Sequence, residues 1–205
     1  MRSLPTSKIL LVLAGALLIG SCGGGAKRLN LEFNPVAGTT TVNPGTVKLV
    51  VVDDRSDKSL VGPGALAKDL FKGSQNGVVD LEVTLPTGQK IARSVLTAEQ
   101  AVFEAVKERL NVLGIRADSG GEGAKASVTV SIIRCDVDLV DSEVVARVRL
   151  ESVVTSPGHP VTSRFWAEAD SSRRKLIGDM GGAEALSEAL TLAVNRLNFQ
   201  SLDQY

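Results

Sequence analysis

Alternating hydrophobic and polar residues over much of the chain predict a β-rich domain. A continuous aliphatic run at 47–52 is typical of a buried strand, and the alternation at 79–85 is typical of a half-buried one. Three longer stretches with strand character follow, at about 127–140, 143–155 and 161–170. In the first of them the hydrophobic parity changes near residues 132–133, which predicts a β-bulge at that point. The pattern therefore indicates three long strands joined as hairpins.

Two stretches have the three-to-four-residue hydrophobic spacing of amphipathic helices. Thr97 and Gln100 form a predicted capping box, in which the Thr97 hydroxyl accepts from the Gln100 amide and the Gln100 side chain reaches back. The helix that begins there, at about 98–113, is followed by Gly114, which suits a left-handed C-cap. The second helix is predicted at about 183–197.

A two-residue turn at Asp141 and Ser142 defines a register for the long strands. The first hairpin then contains the apolar pairs Leu139–Val144, Val137–Ala146, Cys135–Val148 and Ile133–Leu150. Placing Leu150 opposite Phe165 in the second hairpin gives Val154–Val161, Val148–Ala167, Arg147–Glu168 and Glu151–Arg164. With both helices on the apolar side, the predicted fold class is α+β: a two-layer, antiparallel-rich sheet with two amphipathic helices packed on one face.

The water-facing side of this sheet contains the surface that we nominate for binding a partner, formed by Trp166, Arg149 and Arg164. In the predicted register Arg149 lies beside Trp166, which allows a cation–π contact. One interpretation is ordinary cross-strand packing of the ring over arginine stems. The other is a hot spot for a partner protein, since Trp and Arg dominate such sites.

The start of the chain has the organisation of a signal peptide. Arg2 and Lys8 form a positive region, and the 11 residues at 9–19 are too few for a membrane span, which needs about 20. The sequence Ile-Gly-Ser-Cys that ends at Cys22 resembles the lipobox of bacterial lipoproteins. This resemblance implies that Cys22 becomes the first mature residue, linked to diacylglycerol and acylated on its amine. Gly23 in place of Asp implies sorting to the outer membrane, on its periplasmic face; the alternative is an ordinary secretory signal with a chance cysteine.

The rest of the chain is long enough for one domain with a hydrophobic core. Removal of residues 1–21 leaves 184 of the 205 residues, with 21 basic and 23 acidic side chains, so net charge does not indicate nucleic acid as a partner. The predicted organisation is a signal peptide (1–21), a lipid-anchored flexible tether (22–45), a single α+β periplasmic domain (46–199) and a C-terminal tail (200–205). Within the tether, the alternation of Leu29, Leu31 and Phe33 allows a short edge strand.

No motif for catalysis, nucleotide binding or metal binding follows the signal. His159, the single histidine, lies between Gly158 and Pro160 and is predicted to be a solvated loop residue. Cys135 has apolar neighbours on its strand and is predicted to be buried and unreactive. We therefore predict a protein that is not an enzyme, with no catalytic residues, no metal and no cofactor.

In the order of its elements, the mature chain resembles the uncharacterised YajG-type lipoprotein family over roughly residues 46–199. The likeness rests on VKLVVVDDR at 47–55, on the capped helix that ends at Leu113 and Gly114, on the long central hairpin and on the final amphipathic helix. It implies an outer-membrane lipoprotein without an assigned activity and with no site residue beyond the lipidated Cys22.

Together these features predict a non-enzymatic module, attached to the membrane through the Cys22 lipid, that binds another protein of the cell envelope. The alternative is a protein that handles lipid or lipopolysaccharide through the inner face of the sheet or through the basic run at 173–175.

Overall fold

The computed structural model describes residues 28–36, 45–67, 80–91, 97–156, 159–174, 180–199 and 202. Its elements, in chain order, are β1 (Arg28–Glu32), β2 (Thr46–Asp53), α1 (Pro63–Ala67), β3 (Asp80–Thr84), β4 (Lys90–Ile91), α2 (Ala98–Val112), β5 (Arg116–Asp118), β6 (Ala126–Val140), β7 (Glu143–Ser156), β8 (His159–Arg174) and α3 (Met180–Arg196). The predicted signal peptide and Cys22 lie outside the described residues. Among the helices described, none combines the length and the apolar content needed to cross a bilayer.

The described strands form a large sheet and a small one. The large sheet has five strands in the order β5-β2-β6-β7-β8, in which β2 runs parallel to both of its neighbours and β6, β7 and β8 are antiparallel. The small sheet has three strands in the order β1-β3-β4. Helix α2 packs against β2 and β5, and α3 packs against β7 and β8. The predicted α+β class, with both helices on one face of an antiparallel-rich sheet, is confirmed; the small sheet is an addition to it.

The first long hairpin confirms most of the predicted register. Leu139, Val137 and Cys135 lie opposite their predicted partners on β7. The predicted Ile133–Leu150 pair is wrong, because Ile132 takes that place. The register shifts between Ile132 and Arg134, where the expected bulge inserts one extra residue into β6.

The second hairpin is shifted by two residues from the predicted register. Leu150 lies opposite Ala167 and not Phe165. The remaining predicted pairs are replaced by Val154–Ser163, Val148–Ala169, Arg147–Asp170 and Glu151–Trp166. Strand β8 begins at His159, paired with Ser156, so the connection is shorter than the predicted loop. A shift of two preserves the side-chain parity, and the same residues therefore face the same side of the sheet.

Both predicted helices are present. The capping box at the start of α2 is confirmed: the Gln100 amide lies 3.2 Å from the Thr97 hydroxyl, and the Thr97 amide lies 3.3 Å from the Gln100 side-chain oxygen. Gly114 follows with φ +79°, a conformation that favours glycine. Helix α3 begins at Met180, earlier than the predicted residue 183. Its buried side is rich in alanine and leucine: Ala185, Leu186, Ala189, Leu190 and Ala193.

The predicted tether is wrong in one part, because residues 28–36 belong to the folded domain. Leu29, Leu31 and Phe33 are buried in the core, and β1 pairs in parallel with β3. Leu202, inside the predicted tail, is also buried. A five-residue alternating pattern next to glycine and threonine carries little strand signal by itself, and burial here depends on partners far along the chain.

The free edge of β1 is hydrogen-bonded by side chains of α3. Three β1-segment amides donate to α3 side-chain oxygens: Glu32 to Ser187 at 3.0 Å, Asn34 to Thr191 at 3.4 Å and Val36 to Asn195 at 2.9 Å. Asn195 also donates to the Asn34 carbonyl at 3.2 Å. These bonds fasten the N-terminal strand to the C-terminal helix. We call this set the β1–α3 ladder.

Candidate functional site

The face of the large sheet that points away from α2 and α3 is the strongest candidate site. Strands β1 and β3 pack on α3 and α2, so the small sheet is held on the helices and not on this face. One row of side chains crosses four strands of the sheet: Val52, Ser131, Glu151 and Trp166. A row across four strands spans about 14 Å. We refer to this side as the outer face.

Trp166 and Val52 stand at the two ends of that row and are both exposed. Trp166 is 52 % exposed and Val52 is 38 % exposed. Solvent exposure of a large aromatic side chain on a regular strand is costly unless neighbouring side chains cover part of it. The outer face therefore combines accessible apolar area with a regular, rigid backbone.

The Trp166 ring is held by charged neighbours. The Arg149 guanidinium lies 5.0 Å from the ring centroid, within cation–π range. Arg164 Nε lies 2.7 Å from a carboxylate oxygen of Glu151, which is the residue directly opposite Trp166. Arg164 itself stays exposed. The structure thus brings together the three residues nominated from sequence, although the Glu151–Arg164 pair is diagonal and not directly opposed.

The second candidate is a cleft beside β6, and the polar side chains that line it are already hydrogen-bonded within the protein. The cleft has a volume of about 250 Å³ and is lined by Arg55 and by carboxylates of Asp57, Asp136 and Asp138. Asp138 already accepts from the Ala65 amide, and Asp136 accepts from Arg134 at 2.5 Å. Within the described ranges, no group of three or more His, Cys, Asp or Glu residues is placed to hold a metal ion.

Arg55 in this cleft is a buried structural residue. All five of its N–H groups have acceptors: Nε and Nη2 bond the two oxygens of Asp53, and the remaining donors reach the carbonyls of Lys58, Ser59 and Cys135. Burial raises the pKa of Asp53, but hydrogen bonds and charge from Arg55 outweigh it and the net pKa lies below the usual range. With no donor left over, Arg55 fastens the segment after β2 to β6 and does not bind a ligand.

Sequence reasoning did not single out Arg55. The signal was present, since an arginine two residues after Asp53 can turn back onto that carboxylate at the end of a buried strand. The carbonyls of Lys58 and Ser59 are also close in sequence, but the Cys135 carbonyl on β6 is 80 residues away and no local pattern indicates it.

His159 and the basic run at 173–175, which were also considered from sequence, do not lie together in one site. His159 is the first residue of β8 rather than a loop residue, a correction that follows from the shorter hairpin connection. Arg173 of the basic run donates to Glu188 on α3. Lys175 lies outside the described residues. Of the basic run, the described side chain of Arg173 is therefore engaged with α3.

Comparison with known proteins leaves the family open. No family model matches the chain, and no curated protein matches its sequence. Among solved structures, it is similar to a DUF330 protein from Xanthomonas campestris, at 13 % identity and a TM-score of 0.47 over 85 % of this chain and 93 % of the other. For a putative neuraminyllactose-binding hemagglutinin homolog from Helicobacter pylori, the identity is 11 %, the TM-score 0.36 and the coverage 83 % and 97 %.

A putative lipoprotein from Caulobacter crescentus CB15 is 9 % identical, with a TM-score of 0.25 over 40 % of this chain and 61 % of the other. At these identities and TM-scores, the similarities assign neither a family nor an activity to the chain.

Cys135 is buried, as expected from its strand parity. Burial raises the pKa of the Cys135 thiol to about 12. The thiol is therefore protonated at neutral pH and is shielded from reagents.

We predict that a small maleimide does not label Cys135 in the folded protein at neutral pH, because the thiol is protonated and the reagent cannot reach it.

A second prediction concerns the dependence of stability on pH. Since unfolding frees a thiol of ordinary pKa, the free energy of unfolding should fall by up to about 1.4 kcal/mol per pH unit between about pH 9 and 12. Denaturant unfolding across this range should show a shallower decline for Cys135→Ala. Rapid labelling of the native wild type would contradict the assignment.

Proposed function

We propose that this chain is a lipid-anchored protein of the cell envelope, without enzymatic activity, that binds another envelope protein through its outer face. Trp166, half exposed on the outer face with the Arg149 guanidinium 5.0 Å from its ring centroid, is the observation that carries the binding proposal. Tryptophan and arginine dominate the energetics of protein interfaces. A ring that is already held in place loses little conformational entropy on binding.

The location proposed is the periplasmic side of the outer membrane. Support comes from the lipobox-like sequence that ends at Cys22 and from Gly23 after it. Membership of a YajG-type lipoprotein family belongs to the same proposal and rests on the order of strands and helices.

The lipid-handling alternative has less support from the geometry. Helices α2 and α3 cover the inner face of the large sheet, where core residues such as Val148, Leu150 and Leu186 are fully buried. A cleft of about 550 Å³ between β1 and α3 is lined mainly by polar side chains. Neither feature resembles the enclosed apolar cavity that an acyl chain requires.

Replacing Cys22 tests the anchor. Cys22→Ser removes the thiol that would form the thioether, so the protein should remain unprocessed or become soluble, and the mature form should no longer float with outer membranes. Flotation and mass spectrometry of the N-terminal peptide measure both effects, with Cys135→Ser as the matched cysteine control. Cleavage before residue 22 and flotation of the Ser variant would overturn the assignment.

Replacing Trp166 tests the binding surface. Trp166→Ala should reduce capture of the envelope partner at least tenfold, or about 1.4 kcal/mol, after crosslinking in intact cells. The melting temperature should fall by less than about 4 °C, since the ring is half exposed. Val36→Ala, at an exposed residue away from the outer face, is the control and should keep normal capture. If Trp166→Ala captures the partner as well as wild type, the ring has only a packing role.

A further inference from the structure

The first described strand of the domain begins only six residues after Cys22. Strand β1 starts at Arg28, and a fully extended chain reaches at most about 3.3–3.6 Å per residue. A lipid on Cys22 would therefore lie within about 20 Å of the start of β1. The distance is this short because the β1–α3 ladder fixes β1 to α3, so that β1 does not lengthen the connection to the lipid.

The direction of β1 identifies the end of the domain that the lipid would approach. The ladder pairs Glu32 with Ser187 and Val36 with Asn195, so β1 runs in the same direction as α3. Helix α3 runs opposite to β8, because Glu188 bonds Ser171 whereas Arg196 bonds the Glu168 carbonyl. Strand β1 therefore starts at the end of the large sheet where β8 finishes.

The β6–β7 turn lies at that same end, since Glu143 is paired with Arg174, the last residue of β8. The turn residues Asp141 and Ser142 have φ of +48° and +70°. Val140, just before the turn, is 37 % exposed, and Leu66 on α1 is 40 % exposed. We call Leu66 and the segment 140–142 the turn end.

Helix α1 is firmly attached beside this turn. The Ala65 amide donates to Asp138 at 2.9 Å. Gly64 approaches β6 so closely that a Cβ there would collide with the Leu139 carbonyl oxygen. Leu66 is therefore exposed on a helix whose position is set by β6, and its exposure adds to that of Val140.

We propose that the turn end is the surface that contacts the phospholipid bilayer holding the Cys22 lipid; the proposal rests on the lipid anchor proposed above. The proposal rests on the short connection between Cys22 and Arg28, because it brings the end of the sheet where β1 starts closest to the anchor. Two exposed apolar side chains there suit the headgroup boundary of a bilayer. The charged residues beside Val140 are acidic, Asp141 next to it in the chain and Glu143 opposite it on β7, so the contact does not draw on attraction to anionic lipid.

This orientation also places the candidate partner surface. Trp166 lies eight residues before the end of β8, which corresponds to about 26 Å along a strand. Contact through the turn end would orient the strands of the large sheet away from the bilayer surface. Trp166 would then lie about 26 Å from the lipid, on a face that a periplasmic partner can reach.

The test uses the full lipidated protein in vesicles of phosphatidylethanolamine and phosphatidylglycerol. Variants Val140→Cys and Leu66→Cys each receive a fluorophore, and lipids with a spin-labelled headgroup serve as quencher. The added cysteine is the only site expected to react, because the Cys22 sulfur is held in the thioether to diacylglycerol and Cys135 is buried. Val36→Cys is the control, since residue 36 lies eight residues beyond the start of β1 and is 58 % exposed.

We expect quenching at residues 140 and 66 to exceed quenching at residue 36 by at least threefold. Equal quenching at all three positions, or stronger quenching at residue 36, in protein that floats with the vesicles would overturn the orientation and leave the anchor intact. Protein that carries no lipid and does not float would overturn the anchor itself, and the orientation with it.

Discussion

The rest of the structure depends on the β1–α3 ladder. Two strand positions span about 6.6 Å and four helix positions span about 6.0 Å, so every second amide of a strand can meet every fourth side chain of a helix for a few repeats. Ser187, Thr191 and Asn195 have this spacing and supply one acceptor each. The ladder satisfies an edge that would otherwise present unpaired amides. It also joins positions 155 or more residues apart in the chain.

Fastening β1 in this way separates two functions within one domain. The inner face of the large sheet is committed to the core, where small residues such as Ala167 and Ala169 let α3 approach closely. The small sheet packs on the helices, and on the outer face α1 lies beside β6 at Asp138 while Trp166 on β8 remains half exposed. The surface with Trp166 is therefore available to a partner, while the start of β1 leads to the proposed anchor at a different end of the molecule.

Sequence reasoning succeeded where the signal is local. The Thr97–Gln100 capping box and Gly114 identify α2, and a two-residue turn at 141–142 defines the first hairpin as far as the bulge. It failed where the structure depends on distant partners. The bulge displaces the predicted Ile133–Leu150 pair, and the Pro-Gly sequence at 157–158 does not indicate that His159 already pairs with Ser156. The alternation of Leu29, Leu31 and Phe33 allows a short strand but does not indicate its partners β3 and α3, and no local pattern indicates that Arg55 reaches the Cys135 carbonyl.

The most direct test of this account is amide hydrogen exchange in Ser187→Ala. The Glu32 amide donates to Ser187, whereas the Phe33 amide points the other way and donates to the Thr84 carbonyl at 3.2 Å. In wild type both amides should be protected, and loss of one hydroxyl should accelerate exchange at Glu32 well beyond any change at Phe33. If Glu32 exchanges at the rate of an unstructured chain in wild type, or is unaffected by the substitution, then the ladder does not hold β1 against α3.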